Sequence, residues 1–134
     1  MKTQKRKTGD AGEDLAAEYL MKSGYKIIER NHWRPWGEID IVAEKNKILY
    51  FIEVKTLVRY GSIGHFGGDD FDELPEANVT PAKQKKLKKI IATYLNGKNI
   101  SAETDWQIDI IGVILDRENG SARINHLENA VFGE

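Results

Sequence analysis

The chain has 134 residues, of which 40% are hydrophobic and 31% charged, with no cysteine and a formal net charge of −1. This is the profile of one globular domain, 1–134, with enough chain for a real core. It excludes disulfide scaffolds and thiolate metal sites, and it excludes a polycation, so any nucleic-acid surface must come from local charge segregation.

That segregation is visible. Lys2, Lys5, Arg6 and Lys7 open the chain, and Lys83, Lys85, Lys86, Lys88 and Lys89 cluster later, with Asp69, Asp70, Asp72, Glu73 and Glu76 between them. The longest apolar run, Ile110 to Leu115, is too short to span a bilayer. No apolar segment follows the basic start, so neither a signal peptide nor a membrane is expected. The expected location is cytoplasmic.

Residues 1–9 read as a flexible basic tail. A first helix is predicted from about Ala11 to Ser23, with Asp10 as N-cap, Glu13 at the capping-box position and Gly24 as the stop. Leu15, Ala16, Tyr19 and Leu20 form its apolar stripe. Glu13 lies at the rim of that stripe. It either caps its own helix or reaches the edge of a sheet. A strand follows from Tyr25 to Arg30, and then a turn segment, Asn31 to Gly37, broken by Pro35 and Gly37. Its Trp33, Arg34 and Trp36 can stack bases and hold phosphate, or they can cover the edge of the core, the default for such residues.

The next two elements carry the chemistry. In Gly37-Glu38-Ile39-Asp40-Ile41-Val42, strand alternation sends Glu38, Asp40 and Val42 to one face and Ile39, Ile41 and Ala43 to the other. In the strand Ile48 to Leu57, Leu49, Phe51, Glu53 and Lys55 share a face. If Asn46-Lys47 is a two-residue hairpin loop, Lys45 pairs with Ile48 and Asp40 falls opposite Glu53. Two facing carboxylates on a partly apolar face repel unless a cation joins them. A hard divalent ion with oxygen ligands suits them, and Lys55 is placed to hold a phosphate oxygen or an attacking water. A buried carboxylate–lysine pair with a structural role is the competing reading.

Val58 to Val79, rich in glycine and acidic residues, reads as a long loop, either a surface insertion, a lid or a partner contact. A second helix is predicted with Thr80 as N-cap, Pro81 at its first position and Gly97 at its end. Leu87, Ile90, Ile91, Tyr94 and Leu95 form its stripe. Lys83, one turn before Leu87, points along that stripe toward the sheet, with Gln84 beside it. Lys85, Lys88 and Lys89 lie on the opposite side and Lys86 at the margin, facing solvent or a phosphate backbone. Strands are predicted over Trp106 to Leu115 and Ala122 to Leu127, with Asp109 buried and structural. His32, His65 and His126 show no metal-ligand spacing.

The order helix, three strands, loop, helix, two strands predicts an α/β domain with a mixed sheet covered by two helices. Gly12-Glu13, Arg30-Asn31, Gly37-Glu38-Ile39-Asp40, Glu53-Val54-Lys55, Thr80-Pro81 with Lys83-Gln84, Tyr94-Leu95 and Asn129-Ala130 together resemble the YraN-like family. That family is described as endonuclease-like and similar in fold to restriction endonucleases and archaeal Holliday-junction resolvases, the PD-(D/E)xK superfamily. Two departures stand out: the long acidic stretch Tyr60 to Val79, and Ile39 where a proline usually precedes the motif aspartate.

The resemblance implies a restriction-endonuclease-like fold and a DNA nuclease, with branched or junction DNA among its substrates. It implies that Asp40, Glu53 and the Val54 carbonyl hold Mg²⁺ (or Mn²⁺), and that Glu13 supports the metal or its water. Lys55 would position or help deprotonate the nucleophile. Lys83, Gln84, Lys86 and Arg34 would contact the nucleic acid. The resolvase relatives act as dimers, so a homodimer is an expected assembly. The competing class is a non-catalytic nucleic-acid-binding or interaction protein on the same scaffold.

Overall fold

The computed structural model describes residues 3–60 and 81–130. Helix α1 (Gln4–Lys22) is followed by strands β1 (Lys26–Arg34), β2 (Gly37–Lys45) and β3 (Ile48–Arg59). Helix α2 (Pro81–Gly97) and strands β4 (Trp106–Asp116) and β5 (Ser121–Leu127) complete the order. The five strands form one sheet in the sequential order β1-β2-β3-β4-β5, antiparallel except for the parallel pair β3–β4. A parallel neighbour needs a crossover, and α2 lies within it. The architecture is a mixed α/β sheet with a helix on each face, a restriction-endonuclease-like fold.

Strand alternation divides the core. Ile41, Ala43, Tyr50, Ile52, Ile111 and Val113 pack under Ala16, Ala17 and Leu20 of α1. Val42, Leu49, Phe51 and Ile108 pack under Leu87, Ile90, Ile91 and Tyr94 of α2. Strand β4 is buried continuously from Ile108 to Asp116, as expected of a strand covered on both faces. Its Asp109 is fully buried and structural, taking bonds from Gln107 Nε2 (2.8 Å), the Asn129 backbone N–H (2.8 Å) and His126 Nε2 (2.7 Å). Asn129 has φ 52°, a left-handed turn that asparagine tolerates.

Helix α1 begins earlier than its apolar stripe predicts. Thr3, not Asp10, is the N-cap, its hydroxyl accepting from the Arg6 N–H at 3.1 Å. Gln4 to Gly9, expected as a tail, are therefore helical, and Asp10 pairs instead with Arg6 at 3.7 Å one turn back. The first turns are polar, so no periodicity marks them. The end of α1 matches expectation: Gly24 (φ 92°) donates to the Met21 carbonyl, and Tyr25 to that of Leu20. Those two bonds make a Schellman stop. Strand β1 runs on to Arg34, so only Pro35 and Trp36 remain as the turn before β2. Strand β3 likewise continues through Val58 and Arg59. Residues 61–79 of the expected loop, with His65, and the expected cap Thr80 lie outside the described residues, and Pro81 is the first residue of α2 as predicted.

Gly12 is where α1 touches β3. A Cβ built there would overlap the Thr56 hydroxyl, with Thr56 Cβ and Cγ2 at 3.0 Å. Gly12→Ala is expected to destabilise the fold by about 2 kcal/mol through overpacking. Pairing it with Thr56→Ala should recover part of that loss. Urea unfolding of the two variants measures both effects, and an unchanged midpoint in the single variant would contradict the close approach.

Candidate active site

The hairpin β2–β3 has the predicted register. Lys45 pairs with Ile48, and the pairing runs to Ile41 opposite Ile52. Asn46 (φ 53°) and Lys47 (φ 68°) both adopt left-handed angles, the two-residue loop that matches strand twist. The next pair would be Asp40 with Glu53, but the ladder stops before it. The Asp40 carboxylate occupies that place, with Oδ2 accepting the Val54 backbone N–H at 2.8 Å.

The interruption extends across β1. Arg30 pairs with Ile41 and His32 with Ile39, bracketing Asn31 and Asp40, and Asn31 has φ 55°. Alternation breaks there. Ile39 packs with Val42 under α2, whereas Ile41 packs under α1. The expectation that Ile39 shares a face with Ile41 and Ala43 is therefore corrected. The physical reason is the irregularity at Asn31 and Asp40, a local distortion that re-aims side chains.

Asp40 consequently opens onto two clefts. One, of about 740 Å³, lies toward α1 and is bordered by Glu13, Asn31, Glu38, Val54 and Lys55, with Lys5 and Arg6 on its rim. The other, of about 230 Å³, lies toward α2 and is bordered by Glu38, Glu53, Lys83, Lys86 and Leu87. Burial pushes the Asp40 carboxyl up to about 7. The Val54 N–H works against that rise, and the negative charges of Glu13, Glu53 and Glu38 add to it.

Glu53 sits between two amines. Lys83 Nζ lies 3.0 Å from its Oε1, and Lys55 Nζ is 3.8 Å from its Oε2. That Oε2 is buried without a hydrogen-bond partner. Burial lowers the Lys55 pKa, and the neighbouring Lys83 ammonium lowers it further, against the pull of Glu53. Lys83, expected to point along the stripe toward the sheet, makes a direct ion pair with the motif glutamate.

Glu13 is a buried carboxylate turned to the sheet rather than to its own helix end. Its Oε1 accepts from Arg30 Nε at 3.2 Å and Nη2 at 3.1 Å, and Arg30 Nη2 also reaches Asp14 at 2.7 Å. Burial raises its pKa, Arg30 opposes this, and Glu38 reinforces it. Arg30 thus fixes Glu13 beside Asp40 while leaving the local charge negative.

The structure brings Asp40, Glu53, Val54, Lys55, Glu13, Lys83 and Lys86 to one locality. Arg34 lies apart from it, exposed at the β1–β2 tip with Nη1 donating to the Trp33 carbonyl at 2.7 Å, and Gln84 is half-buried in the first turn of α2 beside Lys83. Sequence reasoning missed Asn31, Glu38 and the rim residues Lys5 and Arg6. The Arg30-Asn31 pair was a signal for the first, and no periodic signal existed for the last two.

The donor chemistry suits a hard cation. Two carboxylates flank a backbone strand, a buried carboxylate oxygen lacks a hydrogen bond, and further acids raise the negative potential. Among the described residues no group of three or more His, Cys, Asp or Glu side chains is placed to hold a metal ion.

Comparison with known proteins gives the family. The model of "Uncharacterised protein family UPF0102" matches residues 12–113. A UPF0102 protein of Syntrophomonas wolfei is 39% identical over 127 residues, covering 93% of this chain and 97% of the relative. One of Clostridium botulinum (strain Alaska E43) is 35% identical over 130 residues, covering 97% and 98%. The solved structure of Pyrococcus furiosus SfsA in complex with Ca²⁺ aligns over 92% of this chain and 63% of its own, with 16% identity and a TM-score of 0.35, too slight a likeness to bear on fold or function. With the matched region running from Gly12 at the α1–β3 contact to Val113 in the central strand, and with full-length relatives above 30% identity, the chain belongs to the UPF0102 family.

Proposed function

We propose that this protein is a divalent-metal-dependent endonuclease that hydrolyses phosphodiester bonds in DNA, including branched DNA. The observation that carries the reading is Asp40. Its carboxylate replaces a rung of the β2–β3 ladder, among acidic neighbours and beside the Glu53–Lys55–Lys83 cluster. A purely structural ion pair does not need a distorted strand pair and an excess of acid at one point.

Asp40, Glu53 and the Val54 carbonyl would hold Mg²⁺ (or Mn²⁺). When bound, the ion supplies Lewis-acid stabilisation of phosphate charge and eases deprotonation of water. Lys55 positions the attacking water and takes part in its deprotonation, helped by an environment that disfavours its charge. Glu13, held by Arg30, orders water at the α1 side of Asp40. Lys5 and Arg6 on one rim and Lys83 and Lys86 on the other flank the acids with cations, as a strand passing over the site requires. No helix among the described residues is long and apolar enough to cross a membrane.

The test is titration of Mg²⁺ and Mn²⁺ against labelled junction, flap, linear duplex and single-stranded DNA. Metal-dependent cleavage of at least one substrate is expected, with products ending in 5′-phosphate and 3′-hydroxyl. Binding that ignores the metal, with no substrate cut, would instead support a nucleic-acid-binding module on this scaffold.

A further inference from the structure

The default for Trp33 and Trp36, cover for the core edge, does not hold for Trp33, which is 62% exposed, and holds only in part for Trp36, which is 38% exposed. Their setting is specific. Trp33 pairs across the ladder with Glu38, so the two side chains leave the same side of the hairpin. Glu38 borders both clefts, and Asp40 follows it by two residues on β2. That separation is about 7 Å along an extended strand. Trp36 is tied to α2, with Lys89 Nζ over its ring at 5.6 Å. Lys86, one helical turn before Lys89, borders the α2-side cleft. Arg34 lies between the indoles in sequence and is exposed.

We infer that the β1–β2 tip is a base-stacking platform for unpaired nucleotides next to the cleaved phosphate, so that the substrate is DNA with a single-stranded segment at the site. The physical argument is complementarity. Exposed aromatic faces bind nucleobases, and Arg34, Lys86 and Lys89 supply the positive charge that tracks a backbone. Bases inside a continuous duplex present no free face to an indole, whereas flaps, gaps and opened junctions do. The platform and the clefts at Asp40 share one hairpin, with Glu38 bordering both clefts.

The inference rests on the nuclease reading for its purpose, but its test is a binding measurement made without turnover. Tryptophan emission and anisotropy are recorded in EDTA with oligothymidine of about 16 nucleotides and with duplex of equal length. Trp106, which packs edge-on to Phe51 at 5.8 Å, is removed as a background emitter by Trp106→Phe. Oligothymidine should quench the remaining emission. Trp33→Ala and Trp36→Ala should each weaken its binding by about 5- to 100-fold, with little change on duplex. Trp33→Phe should restore most of the loss, because a stacking face is retained. Equal losses on both ligands, no loss on either, or no quenching would overturn the platform. Cleavage that persists beside such a result leaves the nuclease reading standing, and stacking without cleavage under any metal removes the nuclease reading alone.

Discussion

Replacing Lys55 by alanine is expected to lower metal-dependent DNA cleavage by about 10³-fold while DNA binding persists. The amine lies 3.8 Å from Glu53 and borders the cleft at Asp40, but the outer cations that face a backbone do not depend on it. Asp40→Asn should cost at least as much, because a neutral amide halves the charge available to a divalent ion. Asparagine keeps an oxygen for the Val54 N–H, so the distorted ladder should survive. Lys83→Ala separates roles further. Lys83 pairs with Glu53 at 3.0 Å, so its removal frees that carboxylate as well as deleting the proposed phosphate contact. It should weaken DNA binding with a shallower salt dependence, rather than eliminate cleavage. Wild-type rates in Lys55→Ala and Asp40→Asn would end the assignment of this cluster as the catalytic centre.

The second large effect is on stability, and its sign is opposite. Asp40→Asn should make the metal-free protein more stable at neutral and alkaline pH. Burial, with the charges of Glu13, Glu53 and Glu38, raises the folded-state pKa of Asp40 from 3.8 to about 7. Below 3.8 both folded and unfolded forms are protonated and the wild type carries no penalty. From about 3.8 the unfolded chain releases its proton while the folded carboxyl keeps it, so stability falls progressively until the folded group ionises near 7, where the full penalty is reached. The full difference corresponds to about 4 kcal/mol, reduced by any relaxation that lets water reach the site. Asparagine never ionises, so its advantage should be small near pH 4 and about 2–4 kcal/mol near pH 8. Thermal unfolding in EDTA across that range measures it. Mn²⁺ should then raise the wild-type melting temperature and leave that of Asp40→Asn nearly unchanged, because a ligand stabilises only the state that binds it. A variant less stable than wild type at every pH would contradict the electrostatic strain.

Trading stability for an acid at this point explains several features together. Asn31 sits in a left-handed conformation within a strand, the β2–β3 ladder ends early, and Arg30, itself exposed, is committed to Glu13 and Asp14. Each is unfavourable or neutral for folding alone. Each also moves a carboxylate toward Asp40 or gives it room. Sites that break local rules and are held by the surrounding fold are where function concentrates.

Where the sequence was legible, local physics was sufficient. The alternation in β2 and β3 and the polar Asn46-Lys47 loop specify the hairpin register through Ile41 and Ile52, because side-chain period and turn geometry allow few alternatives. Gly24 marks the end of α1, and Pro81 the start of α2, because each has a conformational reason to stand there. From these, the meeting of Asp40, Glu53 and Lys55 follows with no knowledge of the rest of the chain. The start of α1 was illegible because its first turns are polar and solvated, leaving no stripe to read. The face of Ile39 was misread because alternation assumes an unbroken strand, and the distortion at Asn31 and Asp40 violates that assumption.

The amino-acid sequence by itself determined the hairpin, the helix stripes and the shared neighbourhood of two acids and a lysine, since these depend on contacts between residues near one another along the chain. Only the tertiary structure decided that Lys83 pairs with Glu53, that Arg30 holds Glu13 at the cleft, and that Trp33 stands in solvent at the hairpin tip with Trp36 part-exposed beside it. Those facts depend on how α1 and α2 are seated on opposite faces of the sheet, and that seating is fixed by packing across the core, which no local spacing encodes.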